Sequence, residues 1–503
     1  MADDLALAPL THSDIVATSN GPVRGYREAG LQVFKGLRYG AAPVGAARFK
    51  PPGRPAPWTE TADAVAYGAP AIQSGLAPGE RRSSPADPPA PDEPASSEDC
   101  LFLNVWTPGL DAKARPVMVW LHGGGFANGS GGAAMYDGAA LARKGEVVTV
   151  TVNHRLNVFG YLHLGEVFGA DYVQSGVAGM LDIVQALEWV RDNIAAFGGD
   201  PGNVTIFGES GGGWKVSLLM AMPGARGLFH KAVIQSGPGL TGKPIAAADK
   251  IARQLLDDLK VKTPADLAAL SSEAISHASV KVPGEAMRLY TPVVDGTALP
   301  RDPFEPDASP LNADVPVLIG TNKDESTLFM LGHPKFGAFD EADLAKHAAS
   351  TAKDKAEPLI AALRAAYPDY SPTHLASGVG TAVGMWAGSL KLAERKAAQH
   401  AAPVWMYMLT WETPVAKGRL RSPHALEIPL VFDNVEKARS FVGRGDEPQA
   451  VADQMSAVWL AFAHAGDPGW PAYDTKTRAT KLFDVESRIV NDPLPDVRKV
   501  LET

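Results

Sequence analysis

The stretch Asn203-Val-Thr-Ile-Phe-Gly-Glu-Ser-Gly-Gly-Gly-Trp214 constrains this chain more than any other. A β-branched, apolar run enters it, a Gly-x-Ser-x-Gly turn centred on Ser210 follows, and residues 214–220 leave it with helical character. A serine hydroxyl is a weak nucleophile unless it stands clear of the backbone with its proton facing a base. A sharp strand-to-helix turn achieves this by holding the serine in a strained backbone conformation. Strand and helix then approach so closely that the positions two before and two after, Gly208 and Gly212, must lack side chains. With 50 glycines among 503 residues such a turn also arises by chance. Its meaning therefore rests on a base, an acid and an oxyanion hole in the right order elsewhere.

The surroundings of the turn predict an α/β protein. Pro116-Val-Met-Val-Trp-Leu121 and Val147-Val-Thr-Val-Thr-Val152 read as buried strands, as do 232–235, 315–320 and 404–409. Between them, residues 179–194 carry Leu181, Val184, Leu187 and Val190 at helical spacing. Strands alternating with helices predict a mostly parallel sheet covered on both faces. Residues 15–50 alternate short apolar runs with turns, predicting a small antiparallel sheet at the N-terminal end. Two segments interrupt the rhythm: 246–279, with Ile251, Leu255, Leu259, Leu267 and Leu270 at helical spacing, and the alanine-rich 340–400, punctuated by Pro368 and Pro372. Helices inserted between core strands are expected to cap a ligand site. Residues 75–97 hold six prolines and no aromatic side chain, and read as a solvated loop. A large α/β fold can run this long as one unit, so a single domain over 1–503 is expected.

Bulk properties narrow the partners. A net charge of −9 argues against nucleic acid or an anionic membrane, and no apolar run is long enough to span a bilayer. A single cysteine, Cys100, allows no internal disulfide and suits a reducing compartment. The acidic start Met-Ala-Asp-Asp-Leu lacks the order of a signal peptide, so a cytoplasmic location is expected, although a secreted chain with its signal removed would look the same. No His-Glu-x-x-His or comparable metal-ligand spacing occurs, and no cofactor or metal is expected. Gly237-Pro-Gly-Leu-Thr-Gly-Lys243 mimics a phosphate loop, but Pro244 offers neither the hydroxyl nor the N–H that such a loop needs next.

Upstream of Ser210, His122-Gly-Gly-Gly-Phe126 follows a buried strand directly. Attack on a carbonyl creates an oxyanion that backbone N–H groups must meet, and consecutive glycines let the backbone come that close. Gly124 and Gly125 are the candidate donors, with the amide of Gly211 as a third. The base should lie later in the chain, on a loop beyond the C-terminal end of a strand. Six histidines follow Glu325. His400 precedes its strand, His464 ends a helix, His347 and His374 lie in the inserted segment, and His333 just before it. His424, on an irregular loop after the strand ending at Leu409, is the best candidate. The acid should hold the other imidazole nitrogen, and Asn322-Lys-Asp-Glu-Ser-Thr327 offers Asp324 or Glu325 without choosing between them.

With these residues in hand, the chain resembles the type-B carboxylesterases, the α/β-hydrolase family that includes bacterial p-nitrobenzyl esterases and the cholinesterases. The resemblance runs nearly end to end, through Gly21-Pro-Val-Arg-Gly25, Arg48-Phe-Lys-Pro-Pro52, Ser97-Glu-Asp-Cys-Leu-Phe-Leu-Asn-Val-Trp106, Asn153-His-Arg155, Phe197-Gly-Gly-Asp-Pro201, Gln235-Ser-Gly237 and the segment from His424 to Phe432. It implies an α/β-hydrolase fold and a serine carboxylesterase working through an acyl-enzyme on a small-molecule ester, as a monomer or small homo-oligomer. The family's acid is a glutamate, which falls on Glu325 and completes the order Ser210, Glu325, His424. Phe126, Glu209, Trp214 and Phe329 are candidates for the substrate pocket.

Departures from the family bear on substrate. Gly211 replaces a usual alanine, and Trp214 and Lys215 stand where small residues are common. Cys100 resembles one cysteine of a family disulfide whose partner, near Ile72, is missing, so the Pro-rich loop is expected to be unstapled and mobile over the site's mouth. Residues 72–99 hold no aromatic to stack on a quaternary ammonium, so a choline ester is not expected as preferred substrate. The rivals are amide or carbamate hydrolysis on the same triad, and a non-catalytic binding protein on the cholinesterase fold, which a complete triad argues against. Activity is expected to fall below roughly pH 6.5 as the base protonates.

Overall fold

A computed structural model describes residues 11–80, 88 and 90–502. Among these, thirteen strands share one sheet: β1 (His12–Ala17), β2 (Pro22–Glu28), β3 (Leu31–Arg38), β4 (Ala62–Asp63), β5 (Phe102–Thr107), β6 (Arg115–Leu121), β7 (Val148–Val152), β8 (Gly199–Glu209), β9 (Lys231–Gln235), β12 (Val317–Asn322), β13 (Val404–Leu409), β14 (Ala479–Phe483) and β15 (Arg488–Asn491). β10 (Lys243–Pro244) and β11 (Val293–Val294) form a separate parallel pair. The order across the large sheet is β1-β2-β3-β5-β7-β6-β8-β9-β12-β13-β14-β15, with β4 against β2. From β7 to β14 every neighbouring pair is parallel. Antiparallel strands extend both ends.

Strand β6 displays why the sheet needs cover on both faces. Its seven residues are all buried, yet they alternate between two cores. Val117, Val119 and Leu121 join Met180, Ile183 and Leu187 of the helix Ala178–Asn193. Met118 and Trp120 join Val451, Met455 and Trp459 of the helix Glu447–Ala465. The period of two along a strand thus hands alternate side chains to opposite layers.

Several expectations change. The N-terminal antiparallel strands are not a separate sheet, because β3 pairs with β5 and β5 with β7. β5 carries a buried asparagine, Asn104, which obscures its apolar pattern. Its side chain accepts from Gly36 N–H and donates to Thr151 Oγ1, both at 2.9 Å. β14 and the short exposed β15 carry too little periodicity to announce themselves. β12 starts and ends two residues later than the predicted 315–320, since Pro316 has no N–H for the ladder while Asn322 still pairs with Leu409. The segment 246–279 contains the helices Ile245–Leu259, Pro264–Ala269 and Ser272–Ser279, and 340–400 contains Glu341–Ala352, Ala356–Ala366, Pro372–Thr381 and Ala387–Ala398.

The described part of the Pro-rich loop is exposed at 78–80, 91, 92 and 95 and packed at a few other positions. Residues 81–87 and 89 lie outside the described residues. Around them Ala90, Glu93 and Ser96 are buried. Ser130 Oγ donates to the Glu93 carboxylate, and Ala134 N–H donates to Pro88 O at 3.1 Å.

One consequence of the parallel order positions the site. β6 ends immediately before His122, β8 before Ser210, β12 shortly before Asp324 and Glu325, and β13 before the loop that carries His424. Parallel neighbours end on the same edge, so all four loops meet there.

Candidate active site

Ser210 sits between β8 and the helix Gly211–Leu219 with φ 55° and ψ −121°, a region that costs a non-glycine residue roughly 1–3 kcal/mol. Its backbone is held at both ends: Ser210 N–H donates to Gln235 O at 2.8 Å, and Ser210 O accepts from Trp214 N–H at 3.0 Å. The flanking glycines are required by contact. A β-carbon on Gly212 would lie 1.9 Å from Leu121 O, and one on Gly208 2.6 Å from Gly212 C. Even at Gly211 a methyl would meet Gly125 O at 2.2 Å, so the glycine loop here rests directly on the start of the nucleophile's helix.

In that loop Gly124 and Gly125 adopt φ +78° and +63°, conformations open to glycine. Gly124 O accepts from the N–H groups of Ala127 and Asn128, and Gly123 O from His122 Nδ1 at 2.9 Å. Among the described residues, neither Gly124 N–H nor Gly125 N–H has a protein acceptor, as the amides of an oxyanion hole require.

The base and acid meet across 99 residues of sequence. His424 Nδ1 lies 2.6 Å from Glu325 Oε2, with His424 4% exposed and Glu325 fully buried. The other carboxylate oxygen, Glu325 Oε1, accepts from Asn322 N–H at 2.6 Å. Asp324, the neighbour that sequence alone left open, points elsewhere. Its carboxylate accepts from Tyr370 Oη at 2.5 Å and from Ser422 N–H at 3.3 Å, so it braces the loop leading to His424.

Glu209 also reaches the imidazole: its Oε1 lies 3.0 Å from His424 Nε2. Burial would lower the histidine's pKa, but the charges of Glu209 and Glu325 on its two nitrogens outweigh this and push it up to about 9. The two carboxylates thus favour the protonated imidazole in this geometry. Sequence reasoning missed a third carboxylate behind these. Glu427 is fully buried, takes Asn322 Nδ2 at 2.6 Å and Gln235 Nε2 at 3.3 Å, and is pushed up to about 7 by burial and by the charge of Glu325. The available signal was a glutamate inside the apolar run from Ala425 to Phe432.

The four pocket candidates separate. Glu209 is in the site. Phe329 is 61% exposed with its ring centroid 4.9 Å from that of His424, at the site's outer rim. Trp214 is half-buried, stacks edge-on to Phe126 at 5.3 Å and donates to Thr241 O at 3.2 Å. Phe126 is wholly buried against Tyr161 and Trp214, within the core beneath the loop. Met287 was not anticipated, and its methyl group lies 2.9 Å from where a β-carbon of Gly125 would stand. A cavity of about 780 Å³ opens elsewhere, between Lys323, Tyr367, Trp411 and Arg488, and holds none of these groups. Among the described residues, no group of three or more His, Cys, Asp or Glu side chains could hold a metal ion, and no helix is long and apolar enough to cross a membrane.

The family model of the carboxylesterase family matches residues 12–490. The para-nitrobenzyl esterase of Bacillus subtilis (strain 168) is 37% identical over 98% of this chain and 99% of its own length. The phenmedipham hydrolase of Pseudarthrobacter oxydans is 34% identical over 91% and 92%. The crystal structure of a Geobacillus stearothermophilus carboxylesterase superposes with a TM-score of 0.83 at 38% identity, covering 97% of this chain and all of the other. The match over nearly the whole chain, together with a sheet shared with solved carboxylesterases, leaves one conclusion: the chain belongs to the carboxylesterase family and is a carboxylic ester hydrolase with the α/β-hydrolase fold.

Proposed function

We propose that Ser210 is the nucleophile, His424 the general base and acid, Glu325 the group that orients it, and the amides of Gly124, Gly125 and Gly211 the oxyanion hole. The observation that carries this reading is the 2.6 Å contact between His424 Nδ1 and Glu325, at the same sheet edge as a serine held at positive φ. Neutral His424 takes the Ser210 proton as Oγ attacks an ester carbonyl, while Glu325 stabilises the imidazolium that forms. The imidazolium then protonates the departing alcohol, and the regenerated base draws a proton from water to release the acid. Two apolar side chains beside these groups, Phe329 against the His424 ring and Met287 against Gly125, support neutral esters with an apolar acyl or alcohol group as substrates. The helical segments 246–279 and 340–400 are read as insertions in a single domain, the second touching the acid loop through Thr381 Oγ1, which accepts from Ser326 N–H at 3.2 Å. The single thiol, Cys100, is buried, in keeping with a cytoplasmic enzyme.

The test is hydrolysis of p-nitrophenyl acetate, butyrate and octanoate, combined with labelling by a fluorophosphonate and mapping of the labelled peptide. Turnover of these esters with one label per chain, on the peptide containing Ser210, is expected. Turnover with the label on another serine would overturn the assignment.

Glu209 gives the mechanism a pH signature. Protonated His424 cannot accept the Ser210 proton, and Glu209 stabilises that form, so kcat/KM should rise with an apparent pKa above 7. Glu209→Gln removes one of the two charges holding the proton. The apparent pKa should then drop by about one unit or more, towards the ordinary imidazole value near 6.5. A pH–rate profile that stays put in the variant would exclude Glu209 from this role.

A further inference from the structure

The helix that starts at the nucleophile carries a charged side chain that the chemistry of Ser210, His424 and Glu325 does not use. Lys215 is fully buried, and burial lowers its pKa to about 7. Among the described residues it has no ion-pair partner. Its Nζ donates to His122 O at 2.9 Å and lies 5.6 Å from the centre of the Phe126 ring. The rings of His122 and His154 stack nearby at 4.8 Å, and burial, reinforced by the Lys215 charge, holds both imidazoles neutral. An amine placed so deep without a carboxylate is costly to keep, and its one hydrogen-bond acceptor is the carbonyl that opens the glycine loop.

What that bond does follows from the planarity of the peptide. In a trans peptide the C=O of one residue and the N–H of the next point in opposite directions, so pinning the carbonyl aims the amide. Three successive carbonyls of the loop are pinned. His122 O is held by Lys215 Nζ, Gly123 O by His122 Nδ1, and Gly124 O by the N–H groups of Ala127 and Asn128. The amides aimed by the last two are those of Gly124 and Gly125. Lys215 holds the first peptide of the series, and with it the backbone of the residue whose ring holds the second. It does so from the helix that bears Ser210, five residues from the nucleophile.

We propose that Lys215 is a positioning residue of the oxyanion hole, tying the glycine loop to the nucleophile's helix so that the amides of Gly124 and Gly125 face the substrate carbonyl before it arrives. This rests on reading those amides as the oxyanion hole. A loop left free to rotate its peptides binds the ground state nearly as well but loses stabilisation of the charge that develops on attack.

Lys215→Met keeps the length of the side chain and removes the donor. With p-nitrophenyl butyrate, kcat should fall about 10- to 100-fold, less than the loss of a direct oxyanion donor, while KM stays within about threefold. The affinity for an alkyl trifluoromethyl ketone, which binds as a tetrahedral anion, should fall by the same factor as kcat/KM. A folded variant with a lower Tm but unchanged kcat and ketone affinity would reduce Lys215 to a packing role and overturn the proposal. Should the variant not fold, wild type labelled with [ε-13C]lysine decides the same question. A lysine linked to the oxyanion must show a pKa raised by about one unit or more when the ketone is bound, because linkage is reciprocal. No lysine shift on binding overturns the proposal. Wild type that hydrolyses esters but does not bind the ketone would instead overturn the reading of the hole itself.

Discussion

Ser210→Ala should abolish ester hydrolysis, lowering kcat on p-nitrophenyl butyrate by about 10,000-fold or more while the protein stays folded. The size follows from the role. Without Oγ no acyl-enzyme forms, and what remains is the hole and the binding site acting on water. The fold should not notice, because the bonds that hold this turn are made by the backbone: Ser210 N–H to Gln235 O and Trp214 N–H to Ser210 O. Alanine meets the same positive φ as serine, so the strain is carried over rather than added. Parallel measurements of kcat, fluorophosphonate labelling and Tm check this. Residual turnover above about one thousandth of wild type, with intact folding, would point to a different nucleophile.

That one serine among many can be singled out owes much to the sequence. The elbow is legible because contact leaves no alternative to glycine at 208 and 212, and that need shows as a spelling. The parallel core is legible where strands are unbroken apolar runs, as in β6 and β7, and fades where one buried polar side chain interrupts the run, as Asn104 does in β5. Elimination among six histidines points to His424 because it needs only where each stands relative to the strands and the inserted helices. What order cannot supply is direction. Phe126 follows the glycine loop immediately, yet its ring turns down into the core. Glu427 and Lys215 are charged residues that a sequence reading assigns to solvent by default, and both are buried beneath the site. Their burial depends on partners 93 to 192 positions away, which no local pattern records.

Asp324 and Glu325 put this limit in its sharpest form, since adjacent acids on one loop are equivalent in sequence and opposite in space. Glu325→Gln should lower kcat by about 1,000- to 10,000-fold, whereas Asp324→Asn should stay within about tenfold of wild type. The first loss is more than the loss of a charge. Glu325 Oε1 is fixed by Asn322 N–H, so a glutamine would keep its carbonyl oxygen there and turn its NH2 towards His424 Nδ1. A donor at Nδ1 selects the tautomer protonated on Nε2, which cannot accept the Ser210 proton. Asp324 has no contact with the imidazole. Asparagine there can keep Ser422 N–H on its oxygen but must turn its NH2 to Tyr370, reversing a charge-assisted bond into a neutral one, and the cost should appear in stability. Its sign depends on pH. Burial raises the Asp324 pKa to about 6, above its unfolded value, so the stability this residue contributes is present at low pH and is lost as pH rises through 6. Asp324→Asn should therefore be more damaging to Tm at pH 5 than at pH 8, where it also relieves a buried charge. Kinetics and thermal melts of the two variants at both pH values separate the roles. An Asp324→Asn enzyme as crippled as Glu325→Gln would mean that the loop, rather than one carboxylate on it, orients His424.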